Sequence, residues 1–402
     1  MAVLPRFRRW LVDLFTEQDL FRPYELLVAG VGFYLPASFR TTRIRLLFAL
    51  TRLIMVCQYA IWADRFYLSL LDIHDDPGKA LQYTNSFLTL SMMLGRMLVV
   101  HWYRLDVERI MAFLRRQRRA MPISEREVSY RRIVGLAGGF QLIGILDRVL
   151  VCFSTPYRQL LYEVPANMAA LGRPASVIVQ AISFDFATRW AAAYNVSLTG
   201  MNSLMSGLHD ELADIARDYG KLLDVEDLPG ATWTRFVTRT TRVVRRHEAF
   251  LEQLNMLKPF LCTAFLVMFY SAALFLAIGT HQITSATNGF SMYHIVLGGY
   301  LCTLLIECYR CCQLVDQLND LNKQIGQQLY GLEWPLELRY SPQDDRLYRQ
   351  TRSSLLIMMS SSQRSLGITC GGMFEMSSEA FASLIKMIYT LVRFLSDTQN
   401  LT

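Results

Sequence analysis

FLCTAFLVMFYSAALFLAIG, residues 260–279, runs for twenty residues without a charge. A helix rises about 1.5 Å per residue, so this segment matches a hydrocarbon core of about 30 Å. Weaker runs of the same kind lie on both sides of it. Residues 46–63 carry only Arg52, residues 87–103 only Arg96, and residues 291–306 no charge before Glu307. Residues 133–154 are interrupted by Asp147 and Arg148, and residues 174–208 by Asp185 and Arg189. A last run, residues 377–395, contains Glu379, Lys386 and Arg393. The hydropathy pattern therefore predicts an all-α membrane protein with seven transmembrane helices.

Composition agrees with that class. The 402 residues are 52% apolar and only 19% charged, and the mean hydropathy is +0.22. The aromatic share of 12% excludes disorder. Cys308 and Cys311 form a Cys-x-x-Cys pair with no second pair or His-x-x-x-His to complete a zinc site, so no metal is expected. No phosphate-binding loop, G-x-S-x-G or H-E-x-x-H is present, so neither an enzyme nor a cofactor is expected.

The formal charge of +7 would suit a nucleic-acid partner if the basic residues were clustered without reference to the spans. They alternate instead. The segment between the second and third spans holds Arg104, Arg109, Arg115, Arg116, Arg118, Arg119, Arg126, Arg131 and Arg132, whereas residues 280–292 hold no Lys or Arg. By the positive-inside rule the N-terminus is cytoplasmic and the C-terminus extracellular, opposite to a G-protein-coupled receptor. No nucleic-acid partner is expected; the lipid bilayer is the partner that the charge reports. Residues 1–10 are basic, but residues 11–30 are broken by acids and Pro23 and read as a short amphipathic helix on the membrane surface rather than a cleavable signal.

Two stretches are helical in pattern yet too polar for membrane. Leu204, Leu208, Leu212, Ile215 and Leu222 or Leu223 keep a rough helical period until Asp227-Leu-Pro-Gly230, and a second helix from Trp233 runs into the fifth span. Leu314, Leu318, Leu321, Ile325 and Leu329 likewise prolong the sixth. These extensions should pack together in the cytosol.

The last helix places charge unusually. Glu379, Ser383, Lys386, Thr390, Arg393 and Asp397 follow spacings of 4, 3, 4, 3 and 4, which at about 100° per residue form a stripe roughly 80° wide. Charge at the bilayer centre costs at least about 2.5–3.5 kcal/mol per residue, so the stripe cannot face lipid. It faces either a salt-bridged interior, with Lys386 meeting Glu307 or Asp185, or a water-filled path between subunits.

The C-terminal quarter resembles the insect odorant receptors. LLIMMSSSQRSLGITCGG followed by EMSSEAFASLIKMIYTLVRFL is similar to the family's apolar helix, Gln-containing turn, Gly-rich link and final helix, at Gln363, Gly371, Gly372, Phe381, Lys386, Tyr389 and Thr390. VVRRHEAFLEQLNML, with His247, resembles the family's cytosolic helix. The resemblance implies a heterotetrameric, odorant-gated, non-selective cation channel at the plasma membrane of a sensory dendrite. In it this chain would be the ligand-specific tuning subunit and the shared co-receptor its partner; the long cytosolic segment of the co-receptor is missing here. A gustatory-receptor-like channel would carry a Gln in the last helix, where this chain reads Tyr389-Thr390-Leu391-Val392-Arg393-Phe394. A secondary transporter is the alternative from another class, although no repeated half is visible.

The resemblance further divides the chain. Residues 1–40 form a cytoplasmic segment with an amphipathic helix. Residues 41–200 form spans one to four, with a pocket in their outer half, and residues 201–257 a cytosolic extension. Residues 258–315 form spans five and six, 316–366 a cytosolic segment, and 367–402 the pore helix and extracellular end. The pore helix would present Lys386, Thr390 and Arg393 to the path, with Phe394 at an apolar gate and Asp397 and Thr398 above it. Arg393 of the stripe lies about 100° from Phe394, so pattern and resemblance give two rotations of this helix. A volatile odorant needs an apolar cavity with few polar groups; the outer-half candidates are Tyr83, Phe87, Leu150, Phe153, Ile178, Phe184, Tyr293 and His294. Asp147–Arg148 and Asp185–Arg189 read as buried pairs between the third and fourth helices. Cys308, Cys311 and Cys312 read as free thiols.

Overall fold

The computed structural model describes residues 19–32, 42–71, 77–118, 123–153, 164–170, 172–184, 186–222, 233–284, 292–332 and 345–399. The helices in chain order are α1 (Arg22–Val31), α2 (Thr42–Leu71), α3 (Pro77–Trp102), α4 (Arg104–Arg118), α5 (Ile123–Phe153) and α6 (Ala166–Ala169). They continue as α7 (Arg173–Ser183), α8 (Phe186–Gly220), α9 (Trp233–Thr284), α10 (Met292–Tyr330) and α11 (Asp345–Ser362). Strands β1 (Thr369–Cys370) and β2 (Phe374–Glu375) then precede the last helix, α12 (Ser378–Gln399). The chain is mostly helical. Among the described residues, two helices are long and apolar enough to cross a membrane by composition alone, over Arg235–Thr284 and His294–Tyr330. The other predicted spans lie on helices of 22 to 35 residues, the fourth also on the 11-residue α7, that fall short of that standard.

α8, α9 and α10 form the centre. Leu223 lies outside the described residues, whereas Leu204, Leu208, Leu212 and Ile215 of α8, and Leu222 just beyond its end, are all buried. They join one core with Phe250, Leu254 and Leu257 of α9 and Leu314, Leu318 and Ile325 of α10. α9 is a single helix of 52 residues that passes through Pro259, so the polar extension and the apolar run 260–279 are one rod. α1 lies on α8 rather than on a free surface: a Cβ at Gly200 would come within 2.7 Å of the Tyr24 ring. Arg115 of α4 ties the same segment down, bonding Asp19 at 2.9 Å and Glu25 at 2.8 Å.

The predicted fourth span is interrupted. α7 ends at Ser183 and α8 begins at Phe186. Helix ends leave carbonyls without partners, and here Gln58 of α2 donates its Nε2–H to the Ile182 carbonyl at 2.7 Å. The Trp190 indole N–H then donates to Gln58 Oε1 at 3.0 Å. One amide from a distant helix thus satisfies the break, which the hydropathy of residues 174–208 conceals. The Gly-rich link before α12 is also more ordered than an all-α reading predicts. Thr369 pairs Glu375 and Cys370 pairs Phe374 in an antiparallel hairpin, turned by Gly371 at φ +60° and Gly372 at φ +73°. Both lie in the left-handed region that favours glycine. At Gly371 a Cβ would in addition sit 2.7 Å from Leu266 Cδ1.

The polar ends of α8 and α9 are joined by charge. Arg246 donates to Glu211 at 2.8 and 2.9 Å, to Asp218 at 2.7 Å and to Asp214 at 3.3 Å. Burial holds the Glu211 carboxyl above the usual carboxylate range, with Arg246 opposing it. Beside this cluster His247 is buried. Its Nδ1 lies 3.4 Å from the Tyr219 hydroxyl, and its Nε2 has no partner among the described residues. Burial lowers its pKa to about 4. The unfolded chain, with a histidine pKa of about 6.5, takes up the proton first. Stability is therefore complete above about pH 6.5 and falls as the pH drops towards 4, by up to about 3 kcal/mol. Thermal unfolding of the detergent-solubilised protein should weaken over that window, and His247→Gln should flatten that part of the slope. An unchanged slope in the variant would exclude His247 as its source.

Candidate functional site

An aromatic nest forms where α2, α3 and the start of α8 meet. On α2, Tyr59, Trp62 and Phe66 are spaced i, i+3, i+7 and therefore share one face. Phe66 stacks on Phe87 with centroids 4.7 Å apart, and Tyr59 meets the same ring at 5.5 Å. Trp62 packs edge-on against Tyr83 at 5.9 Å and stacks on Phe186 at 5.1 Å. Phe186 in turn lies 6.2 Å from Trp190. Its polar groups include the Gln58 amide on Trp190, the Tyr59 hydroxyl 3.1 Å from Ser91 Oγ, and the buried Arg65 guanidinium 5.0 Å over the Trp62 ring. Apolar faces with a small number of orienting polar groups suit a small organic ligand.

The structure brings Tyr83 and Phe87 into this nest. Ile178 and Phe184 are 59% and 65% exposed, and His294 is half-buried at the start of α10. Leu150 and Phe153 fall on α5 and Tyr293 on α10, but their side chains lie outside the described residues. Trp62, Phe186 and Trp190 escaped the reading of the sequence. Their helical spacing is visible in it: 59, 62 and 66 on α2, and 186, 190 and 194 on α8.

The charges inside the bundle also pair differently from expectation. Glu307 of α10 meets Arg96 of α3, with Nη1 donating to both carboxylate oxygens at 2.8 and 2.7 Å and each side chain only 2% exposed. The Tyr194 hydroxyl of α8 donates to the same carboxylate at 2.5 Å. Lys386, expected opposite Glu307 in the salt-bridged reading, is exposed on α12 instead. The physical reason is reach: α12 turns Ala380, Leu384 and Ile388 to the core, which leaves the Lys386 side chain on the far side. The Asp147, Arg148 and Asp185 side chains lie outside the described residues. Cys308, Cys311 and Cys312 are free and fully buried.

α12 starts firmly. Ser377 Oγ accepts the Ala380 N–H at 3.2 Å as an N-cap. Asp316 of α10 accepts the backbone N–H and the hydroxyl of Ser378 at 2.8 and 2.5 Å, a carboxylate at the positive end of the helix. Beyond that start the helix is two-faced. Lys386, Thr390, Arg393 and Asp397 are exposed, as is Phe394 at 65%, whereas the Thr398 side chain is outside the described residues. With Leu384 taken as the core direction, Arg393 points about 180° away and Phe394 about 80° away. The polar stripe is thus opposite the core, and Phe394 flanks it.

Comparison with known proteins follows this geometry. A family model described as the 7tm odorant receptor matches residues 76–389. Odorant receptor 22a of Drosophila melanogaster is 22% identical over 180 residues, which cover 43% of this chain and 40% of that relative. The chain therefore matches less than half the length of that curated relative. Among solved structures, the insect olfactory receptor OR5 from Machilis hrabei in complex with eugenol superposes with a TM-score of 0.72, at 12% identity, over 96% of this chain and 100% of that one. A second structure of OR5 gives 0.69 at 12% identity, over 95% and 99%. At that identity the likeness is one of fold.

Proposed function

We propose that this chain, which belongs to the 7tm odorant receptor family, is the ligand-specific subunit of an odorant-gated, non-selective cation channel. The family is one of insect olfactory membrane receptors, not of enzymes. The observation that carries the channel reading is the stripe on α12. Lys386, Thr390, Arg393 and Asp397 are turned away from the chain's own core. A helix of 22 residues is long enough to span a bilayer, and such a face needs water or another subunit beside it. A path walled by one α12 from each subunit supplies both. Two cations per helix disfavour a cation pore made only of this chain. A co-receptor contributing the remaining walls of a heterotetramer relieves that conflict.

In this reading the chain spans the plasma membrane seven times with a cytoplasmic N-terminus, and Phe394, Asp397 and Thr398 sit at the outer mouth with Phe394 as the gate. The nest around Tyr83 and Phe87 receives the odorant, and Trp62, Phe186 and Trp190 complete its walls. Leu150, Phe153, Ile178, Phe184, Tyr293 and His294 remain candidates for its rim.

Co-expression with a co-receptor under voltage clamp tests this. A broad volatile panel, beginning with the eugenol that OR5 holds, should include a compound that evokes a fast inward current insensitive to G-protein block. A chain that reaches the surface yet passes no current across the panel, or that takes up solute instead, would overturn the channel reading.

A further inference from the structure

We infer that Arg96, Tyr194 and Glu307 are positioning residues that couple the aromatic nest to the last helix; this rests on the channel reading above. A buried ion pair does little for stability, since apolar residues of similar volume are often as good or better. Three helices nevertheless meet through this one carboxylate. Nη1 of Arg96 serves both Glu307 oxygens, while its Nε and Nη2 are buried with no hydrogen-bond partner among the described residues. An Arg–carboxylate pair commonly engages two nitrogens in a fork. Here two of the guanidinium nitrogens are unspent on the carboxylate, its face lies 5.2 Å over the Tyr194 ring, and a mostly apolar cavity lined by Val99, Val100, Ser197 and Gly200 lies beside it. A packed hydrogen-bonded junction of three helices is the kind of contact through which coupling between sites is carried.

Placement supplies the two ends of the path. Tyr194 lies one turn from Trp190 and two from Phe186 on α8, and Arg96 shares α3 with Tyr83 and Phe87. Two members of the triad are thus continued by unbroken helix into the nest. The third belongs to α10, where Tyr309, two residues beyond Glu307, meets the Phe381 ring of α12 at 5.5 Å. Further along α10, Asp316 holds the first turn of α12 through Ser378. A shift of α3 or α8 on ligand binding reaches the pore helix through the triad and α10.

Two variants test this. Tyr194→Phe removes one hydroxyl and leaves the ion pair, and the double variant R96M/E307M removes both charges while keeping volume. Each is expressed with the co-receptor, counted at the surface, and read for maximal odorant-evoked current. Odorant binding is followed separately by the fluorescence of the nest tryptophans in the purified complex. Both variants should reach the surface and keep the midpoint of the fluorescence change within about twofold. Maximal current per surface channel should fall about tenfold, the effect of losing a hydrogen bond to a charged group from the gating equilibrium. Wild-type current per channel in Tyr194→Phe, or loss of binding together with current, would overturn the coupling role. If R96M/E307M fails to reach the surface, Tyr194→Phe decides alone. Absence of current from the wild type itself would overturn the channel reading and this inference with it, whereas loss confined to the variants supports both.

Discussion

Arg246→Ala should destabilise the protein by about 3 kcal/mol and sharply reduce the amount that reaches the cell surface. The guanidinium neutralises Glu211, which is only 1% exposed, and also holds Asp214 and Asp218 of the same helix. Removing it leaves three carboxylates on successive turns of α8, one of them sealed from water. Breaking one side of a buried pair costs about 3–5 kcal/mol, and the partial exposure of Arg246 and Asp218 puts the value at the low end. The loss belongs to the stranded charge more than to the missing contact. Adding Glu211→Gln should therefore recover most of it, a non-additivity that a double-mutant cycle reads directly. Thermal unfolding in detergent measures both variants. Equal losses in the single and double variants would show that the contact, not the stranded carboxylate, sets the cost.

The same contrast between local and distant partners decides what could be read from the sequence. The run 260–279 and the periodic leucines of α8 and α10 are local patterns, and the helices they predict are present. Trp62 and Trp190 also lie on readable stripes, but only the fold brings the two stripes onto one nest. Tyr83 and Phe87 were accessible because aromatics in an outer half are sensible candidates; their partners from α2 were not, since nothing local assigns that helix to a pocket. At the break after Ser183, the Ile182 carbonyl is satisfied by Gln58, 124 residues away. Arg96 and Glu307 are 211 residues apart. Hydropathy sees each as an isolated blemish in a span, and several carboxylates could have answered Arg96. The stripe on α12 was legible because all its members lie within six turns. Its direction relative to the core was not, because that depends on which neighbours receive Leu384 and Ile388.

That direction makes the central claim testable at a single position. Thr390 is exposed on the polar stripe and Leu384 is fully buried on the opposite face. With Thr390→Cys in this chain and wild-type co-receptor, a charged thiol-reactive reagent applied during odorant exposure should abolish the evoked current irreversibly. The wild-type chain, whose eight cysteines serve as the internal control, should be spared, as should Leu384→Cys. Full current through Thr390→Cys after reagent treatment, with block at Leu384→Cys, would contradict the assignment of the α12 stripe to the conduction path.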